Sequence, residues 1–188
     1  MRAREVARAV PAALSRPWVL AASGACTLLL GLLVFLVLIP GVQATCGAAP
    51  PDVRLYTSPR EVGAFLSACG MDGRQAERAL QLADLVYPAA MASFMAGALA
   101  ALSTRAAPSG RWTWLWVVPV LSSVADYIEN VAMWGALFRF PEAGPLDAVL
   151  GVASAAKQIL GWAGGIALIA LIVVLLVRYF RGGAHRRV

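Results

Sequence analysis

Long apolar stretches alternate with short polar segments along this chain, and the alternation predicts the fold class. Four stretches each approach the roughly 20 apolar residues that a helix needs to cross a bilayer. They predict membrane spans at about 18–39, 84–102, 114–137 and 157–178. The polar segment 40–83 is the expected outer loop. We therefore expect an all-α fold, a four-transmembrane-helix bundle that forms a single integral membrane domain over residues 1–188.

The composition supports this class and excludes others. Hydrophobic residues make up 60% of the chain and charged residues only 14%, whereas soluble domains carry about 25% charged residues. The net charge of +6 comes from arginines at span ends and in the tails. They lack the interleaved aromatic residues of a nucleic-acid-binding surface. The expected partner is therefore the lipid bilayer, with no nucleic acid.

The outer loop carries a clear helix start. Ser58 and Glu61 flank Pro59 in the pattern of a capping box with a first-turn proline. Apolar residues then recur at helical spacing, namely Val62, Phe65 and Leu66. This predicts a short extracytoplasmic amphipathic helix between spans 1 and 2, with its apolar side on the membrane surface.

A second capping box, formed by Asp72 and Gln75, predicts the start of the next long helix. This helix is expected to continue into the second span and to kink at Pro88, because proline removes one backbone hydrogen bond. The backbone groups freed by such a kink are tolerated where neighbouring helices or water satisfy them.

Arginine placement predicts how the spans are oriented. The positive-inside rule assigns the segments richest in Lys and Arg to the cytoplasmic side. These segments are both tails and the turn between spans 2 and 3, with Arg2, Arg4, Arg8, Arg16, Arg105, Arg111, Arg178, Arg181, Arg186 and Arg187. We expect a multi-pass protein of the cell (plasma or inner) membrane, with both termini cytoplasmic.

Two cysteines fall in the outer loop under this orientation. An oxidising outer compartment would allow Cys46 and Cys69 to pair and to tie the loop to the first span. They do not form the CxxC pattern of a metal or redox motif. A disulfide and two free thiols both remain open from the residues alone.

The third predicted span carries polar residues that do not suit lipid. Asp126, Glu129 and Asn130 follow an i, i+3, i+4 spacing and so share one helical face. One charged side chain at the bilayer centre costs roughly 2.5–3.5 kcal/mol, so this face is expected to point towards protein or water. In the outer half of the bundle it can gather with Asp84, Tyr87, Lys157 and Gln158. Lys157 is the expected counter-charge, and at least one carboxyl is expected to share or hold a proton.

The sequence names no reaction for this polar site. It has no Ser/His/Asp set and no phosphate-binding Gly-rich loop, and its single histidine lies in the tail, so we expect no metal and no cofactor. A packing network that fixes the register of the helices remains open. Among functional roles, binding or assembly is favoured, with a small polar ligand, a lipid head group or a cation bound. The alternatives are a membrane-embedded enzyme that uses the carboxylates as acid, base or cation ligands, and a proton-linked transporter subunit that forms a homo-oligomer.

Four segments together resemble an uncharacterised group of small four-span membrane proteins. The segments are Tyr56-Thr-Ser-Pro-Arg-Glu-Val62, Gly73-Arg74, Asp84-Leu-Val-Tyr-Pro88 and Asp126-Tyr-Ile-Glu-Asn130. The Asp-x-x-Glu-Asn motif in the third span is the most specific of them, and the resemblance covers residues from about 55 to 178. It implies the four-span architecture and singles out Asp84, Tyr87, Asp126, Glu129 and Asn130, without implying an activity.

Overall fold

The regular structure of the chain is helical. A computed structural model describes residues 3–107 and 110–184, and within them the expected all-α class is confirmed. The α-helices are α1 (Ala3–Leu14), α2 (Pro17–Leu33), α3 (Ile39–Cys46), α4 (Pro59–Ala68), α5 (Gly70–Ala83), α6 (Tyr87–Ala106), α7 (Val117–Arg139) and α8 (Leu146–Ala184). A π-helical turn joins α2 to α3 over Val34–Leu38, and short 3-10 turns lie at Pro51–Val53 and Thr113–Trp116.

Three helical stretches in the described part of the chain are long and apolar enough to cross a membrane. They are Pro17–Cys46, Gly70–Ala106 and Leu146–Arg181. Leu29 and Ile166, on two of these stretches, are each 68% exposed, a placement that suits lipid better than water. The chain therefore has the helices of an integral membrane protein. Its orientation stays a prediction, and Arg2, Arg186 and Arg187 lie outside the described residues.

The helix α7 is the polar exception. Its 23 residues are enough to cross a bilayer, but its acidic and amide residues interrupt the apolar run, and it is not among the three apolar stretches. It packs along α8, and Glu129 and Asn130 are 0% and 2% exposed. Length and composition thus give three candidate spans in the described residues, and α7 is not one of them because it carries polar groups, which it buries against protein.

The first long helix continues past the point where a loop was expected. The outer loop was expected to begin at Pro40, but the helix runs through the π-helical turn into α3 and ends at Cys46. Pro40 lies in the first turn of α3, where its missing N–H is tolerated, and the π-helical turn precedes it. Gly47 then ends the helix in a left-handed conformation with a φ of 69°.

The capping box that begins α4 is confirmed. Ser58 Oγ accepts a hydrogen bond from the Glu61 N–H at 3.4 Å, and Glu61 Oε2 accepts one from the Ser58 N–H at 2.8 Å. Hydrogen bonds from the Ser58 hydroxyl and then from its backbone N–H hold the pKa of the exposed Glu61 carboxyl below its usual value. Helix start signals in this segment were therefore readable from local sequence.

The environment of the apolar face of α4 differs from the expectation. Val62, Phe65 and Leu66 do not lie on a membrane surface, because all three are buried in the hydrophobic core with residues of α3, α5, α7 and α8. Packing against other helices removes more apolar surface from water than partial insertion into the membrane surface would. The helix α4 is thus part of the packed fold.

A disulfide ties this outer part together. Cys46, at the end of α3, is bonded to Cys69, directly after α4, which is one of the two states that the sequence left open. Gly73 of α5 lies against the bridge, and a Cβ there would come within 2.7 Å of Cys46 Sγ. The expected second capping box is wrong, because α5 begins at Gly70 and has no side-chain cap.

The predicted kink at Pro88 is a complete break. The helix α5 ends at Ala83, residues 84–86 form a turn, and α6 begins at Tyr87 with Pro88 in its first turn. The break places Asp84 at the junction of two helices, with its side chain buried. Because of this position, Asp84 lines the cavity described below.

Candidate functional site

A cavity of about 430 Å³ lies between the π-helical turn, the 51–53 turn, the α5–α6 break, α7 and α8. The residues predicted for the polar site divide into two groups around it. Those that line the cavity are Asp84, Tyr87, Asp126, Lys157 and Gln158. Glu129 and Asn130 do not line it, and they bond to residues that do.

Lys157 is the centre of an ion-pair cluster. Its Nζ lies 3.1 Å from Asp126 Oδ1 and also contacts Glu129 Oε2. The second Glu129 oxygen, Oε1, accepts a hydrogen bond from the hydroxyl of Ser154, a fully buried residue on α8. Ser122 donates a hydrogen bond from Oγ to the Lys157 carbonyl at 2.8 Å, which further links α7 to α8. Charges removed from water need such partners, since an unpaired buried charge is strongly destabilising.

The helix break is held open by side chains of α7. Pro88 has no N–H, so the carbonyl of Asp84, four residues earlier, has no partner within the helix. Asn130 fills this role, because its Nδ2 donates to Asp84 O at 3.1 Å. The Tyr127 hydroxyl donates to the carbonyl of Leu85 at 2.9 Å. The Asp-x-x-Glu-Asn motif therefore serves two elements at once, with Glu129 facing α8 and Asn130 facing the break.

The Asp84 side chain is left without a partner. Asp84 is 5% exposed, and within the described residues its carboxylate makes no hydrogen bond or ion pair. Buried carboxylates are normally bonded, because an unpaired one loses its hydration without compensation. A buried, unpaired acid on the wall of a cavity marks the place where a ligand can supply the missing interaction.

Asp52 is a second acid of this kind, and sequence reasoning missed it. It lies in the Pro51–Val53 turn, lines the cavity and is 8% exposed, and its buried Oδ1 has no hydrogen-bond partner among the described residues. Burial raises the pKa of the Asp52 carboxyl, while the charge of Lys157 acts in the opposite direction. A lone acid after two prolines carries no helical period, so only the tertiary fold could reveal its role.

Two contacts with α8 bring Asp52 to the cavity. Gln158 Nε2 donates to the carbonyl of Arg54 at 2.6 Å. Gly151 leaves room for the chain at Thr57, since a Cβ at Gly151 would collide with the Thr57 carbonyl oxygen. These contacts hold the segment 51–57 against α8 and explain why Gln158 belongs to the site.

A further polar pair lies on α5 and was also not anticipated. Glu77 and Gln81 are both fully buried, and Gln81 Nε2 donates to Glu77 Oε1 at 3.2 Å. The i, i+4 spacing of Glu and Gln was the available signal. Neither residue lines the cavity.

The other wall of the cavity is apolar and aromatic. Phe35 and Tyr87 meet edge to face, with ring centroids 6.3 Å apart. Met91, Met95 and Trp162 complete this wall. Within the described residues no three His, Cys, Asp or Glu side chains are placed to hold a metal ion. The arrangement suits a ligand that has both a polar and an apolar part.

Asn130→Leu is expected to lower the free energy of unfolding by about 1–3 kcal/mol, because the Asp84 carbonyl would lose its donor in a buried site. Thermal unfolding in detergent, followed by circular dichroism, measures the change. In a Pro88→Ala background the loss is expected to shrink by at least half, since the restored backbone N–H can bond the Asp84 carbonyl. Equal losses in both backgrounds would contradict the role given to Asn130.

Comparison of the chain with protein-family models, with curated proteins and with solved structures found no match.

Proposed function

We propose that this chain is a four-span protein of the cell membrane whose function is to bind a small ligand in the cavity beside Lys157. The observation that carries the proposal is a cavity of about 430 Å³ in an apolar helical protein, lined by the unpartnered Asp84 carboxylate. Ligand pockets of known proteins are of this size and combine apolar walls with a few polar groups. The cavity is built within one chain, so binding does not require a homo-oligomer.

The exposed face of α7 supports its assignment as the fourth span. Leu121, Val124, Ile128 and Val131 recur at helical spacing and are 47–63% exposed. The polar residues of α7 lie on the side that packs against α8 and the break. An apolar stripe outside and a polar stripe inside is the arrangement of a membrane helix that lines a site. The resemblance to small four-span membrane proteins points to the same architecture.

Asp126 and Glu129 are better suited to holding the cavity in shape than to acid–base catalysis or proton-linked transport. Asp126 and Glu129 are both paired with Lys157, so neither is free to take a proton from a substrate without breaking an ion pair. These ion pairs join α7 to α8 and so stabilise the shape of the cavity. Asp84 and Asp52 then remain as the groups that can meet a ligand.

The experiment compares two leucine substitutions on α8. Gly161 lines the cavity, and a Cβ there meets Ser122 Oγ at 3.5 Å, an ordinary contact, so Gly161→Leu fills the cavity without a backbone collision. Gly165 has no atom within 4 Å of its added Cβ and does not line the cavity, which makes Gly165→Leu the matched control.

Native mass spectrometry of the protein, purified from its membrane in a mild detergent, gives the readout. We expect wild type and Gly165→Leu to retain a small molecule that Gly161→Leu has lost, with all three unfolding at similar temperatures. A retained molecule that all three share would place the ligand elsewhere. A wild type that carries nothing, and is not stabilised by a total lipid and metabolite extract of its host, would overturn the proposal.

A further inference from the structure

Some of the hydrogen-bonding groups that line the cavity already have partners within the protein, and others do not. Lys157 is paired with Asp126 and Glu129. The Gln158 amide donates to the Arg54 carbonyl, and the Ser122 hydroxyl donates to the Lys157 carbonyl. The one ammonium of the described lining is therefore already paired, and an anionic ligand would find only neutral donors, such as the Ser123 and Tyr87 hydroxyls.

Two acceptors of the lining, both carboxyl groups, have no charged partner in contact with them. Asp52 and Asp84 are 8% and 5% exposed, both line the cavity, and neither has an ion-pair partner within the described residues. Lys157 is the only cationic side chain that the described lining contains, and it already faces two other carboxylates. The described lining thus holds three carboxyl groups, on Asp52, Asp84 and Asp126, against the single ammonium of Lys157, so a bound cation would stabilise the ionised form of the two unpaired acids.

The opposite wall decides which kind of cation fits. Phe35, Tyr87 and Trp162 present aromatic rings, and Met91 and Met95 add sulfur and methyl groups. Aromatic faces attract organic cations and also pack against apolar bodies. A hydrated metal ion would gain little from such a wall, whereas an amine with an apolar body could use both sides of the cavity.

We propose that the ligand of this cavity is a lipophilic amine, whose ammonium group lies between Asp52 and Asp84 and whose apolar body packs on the aromatic and methionine wall. This inference rests on the proposed function and adds the chemical class of the ligand. An ammonium has three donors and no acceptor, which matches two carboxyl groups that have no ion-pair partner.

Three probes of the same shape test the charge requirement. They are 1-naphthylmethylamine, the neutral 1-naphthylmethanol and the anionic 1-naphthoate, each titrated into the purified protein in detergent. The measured quantity is the dissociation constant, from intrinsic tryptophan fluorescence and from the shift in unfolding temperature. The amine is expected to bind wild type at least tenfold more tightly than the alcohol and the acid.

Substitutions at the two carboxyl groups test whether they cause the preference for the amine. Asp84→Asn keeps the shape of the side chain and removes its charge, so the fold should be retained while the preference for the amine falls at least fivefold. Asp52→Asn is expected to reduce it in the same direction. Asp72→Asn makes the same chemical change at an exposed position outside the cavity and should leave the preference unchanged.

The outcomes separate this inference from the proposed function. If the alcohol or the acid binds as tightly as the amine, and Gly161→Leu blocks that binding, the cavity is a ligand site and the ammonium assignment is overturned. An amine preference that survives both Asp84→Asn and Asp52→Asn overturns it as well. If no probe binds in a way that Gly161→Leu removes, the cavity fails as a ligand site and both proposals fall.

Discussion

Lys157→Met is expected to lower the free energy of unfolding by about 3–5 kcal/mol, because removal of one partner leaves buried carboxylates uncompensated. Lys157 Nζ contacts both Asp126 and Glu129, whose side chains are 17% and 1% exposed. Methionine preserves most of the length and apolar surface of the lysine stem, so the loss reports mainly on charge. Thermal and chemical unfolding in detergent, followed by circular dichroism, measures it.

Two comparisons make this result specific to the buried cluster. Adding Asp126→Asn and Glu129→Gln to Lys157→Met removes the unpaired charges and should recover most of the lost stability. Arg139→Met breaks the pair between Arg139, whose side chain is 34% exposed, and Asp147, whose buried carboxylate keeps a hydrogen bond from the Gly144 N–H. This change should cost less, about 1 kcal/mol. A Lys157→Met protein as stable as wild type would show that the cluster does not hold α7 and α8 together.

Removal of the disulfide with Cys46→Ala and Cys69→Ala is expected to lower the free energy of unfolding by about 3 kcal/mol. The bridge closes a loop across a sequence separation of 23 residues, and opening it gives the unfolded chain more conformations. The same loop contains Asp52, so the variant should also bind the cavity ligand more weakly. Unfolding with and without a reductant measures the stability.

The third cysteine provides the control. Cys26 is a free thiol on α2, and Cys26→Ala should leave both the stability and its response to reductant unchanged. Wild type treated with reductant should approach the stability of the double alanine variant. The contrary result is a wild-type stability that does not change with reductant, although a thiol reagent shows that Cys46 and Cys69 are fully reduced. The bridge would then contribute nothing measurable to the stability of the fold.

The local features of this chain could be predicted because they depend on neighbouring residues. The capping box at Ser58 and Glu61 forms as expected, since its two partners are three positions apart. The shared face of Asp126, Glu129 and Asn130 follows from helical geometry alone. The position of Lys157 against Asp126 and Glu129 was expected from charge balance, and the structure places it there.

Other expectations failed or were incomplete where the outcome depends on distant residues. The apolar face of α4 is buried because residues of α3, α5, α7 and α8 pack against it. The bend at Pro88 became a break because Asn130 and Tyr127, far along the chain, can satisfy the carbonyls of Asp84 and Leu85. A proline in the sequence shows that one backbone hydrogen bond of the helix is missing. It does not show whether side chains from distant residues will replace that bond, or how many residues of the helix will be interrupted.

The residues alone determined that the chain is helical, that apolar stretches of it have membrane length, and that acidic and amide groups share one face of α7. Hydrophobic period, length and charge are properties of short segments, so they survive without knowledge of the fold. Only the tertiary structure decided that Asp52 reaches the cavity, that Asn130 caps the break, and that Asp84 is left without a partner. Whether an acceptor is satisfied depends on every donor that the fold brings near it, and most of those donors are distant in sequence.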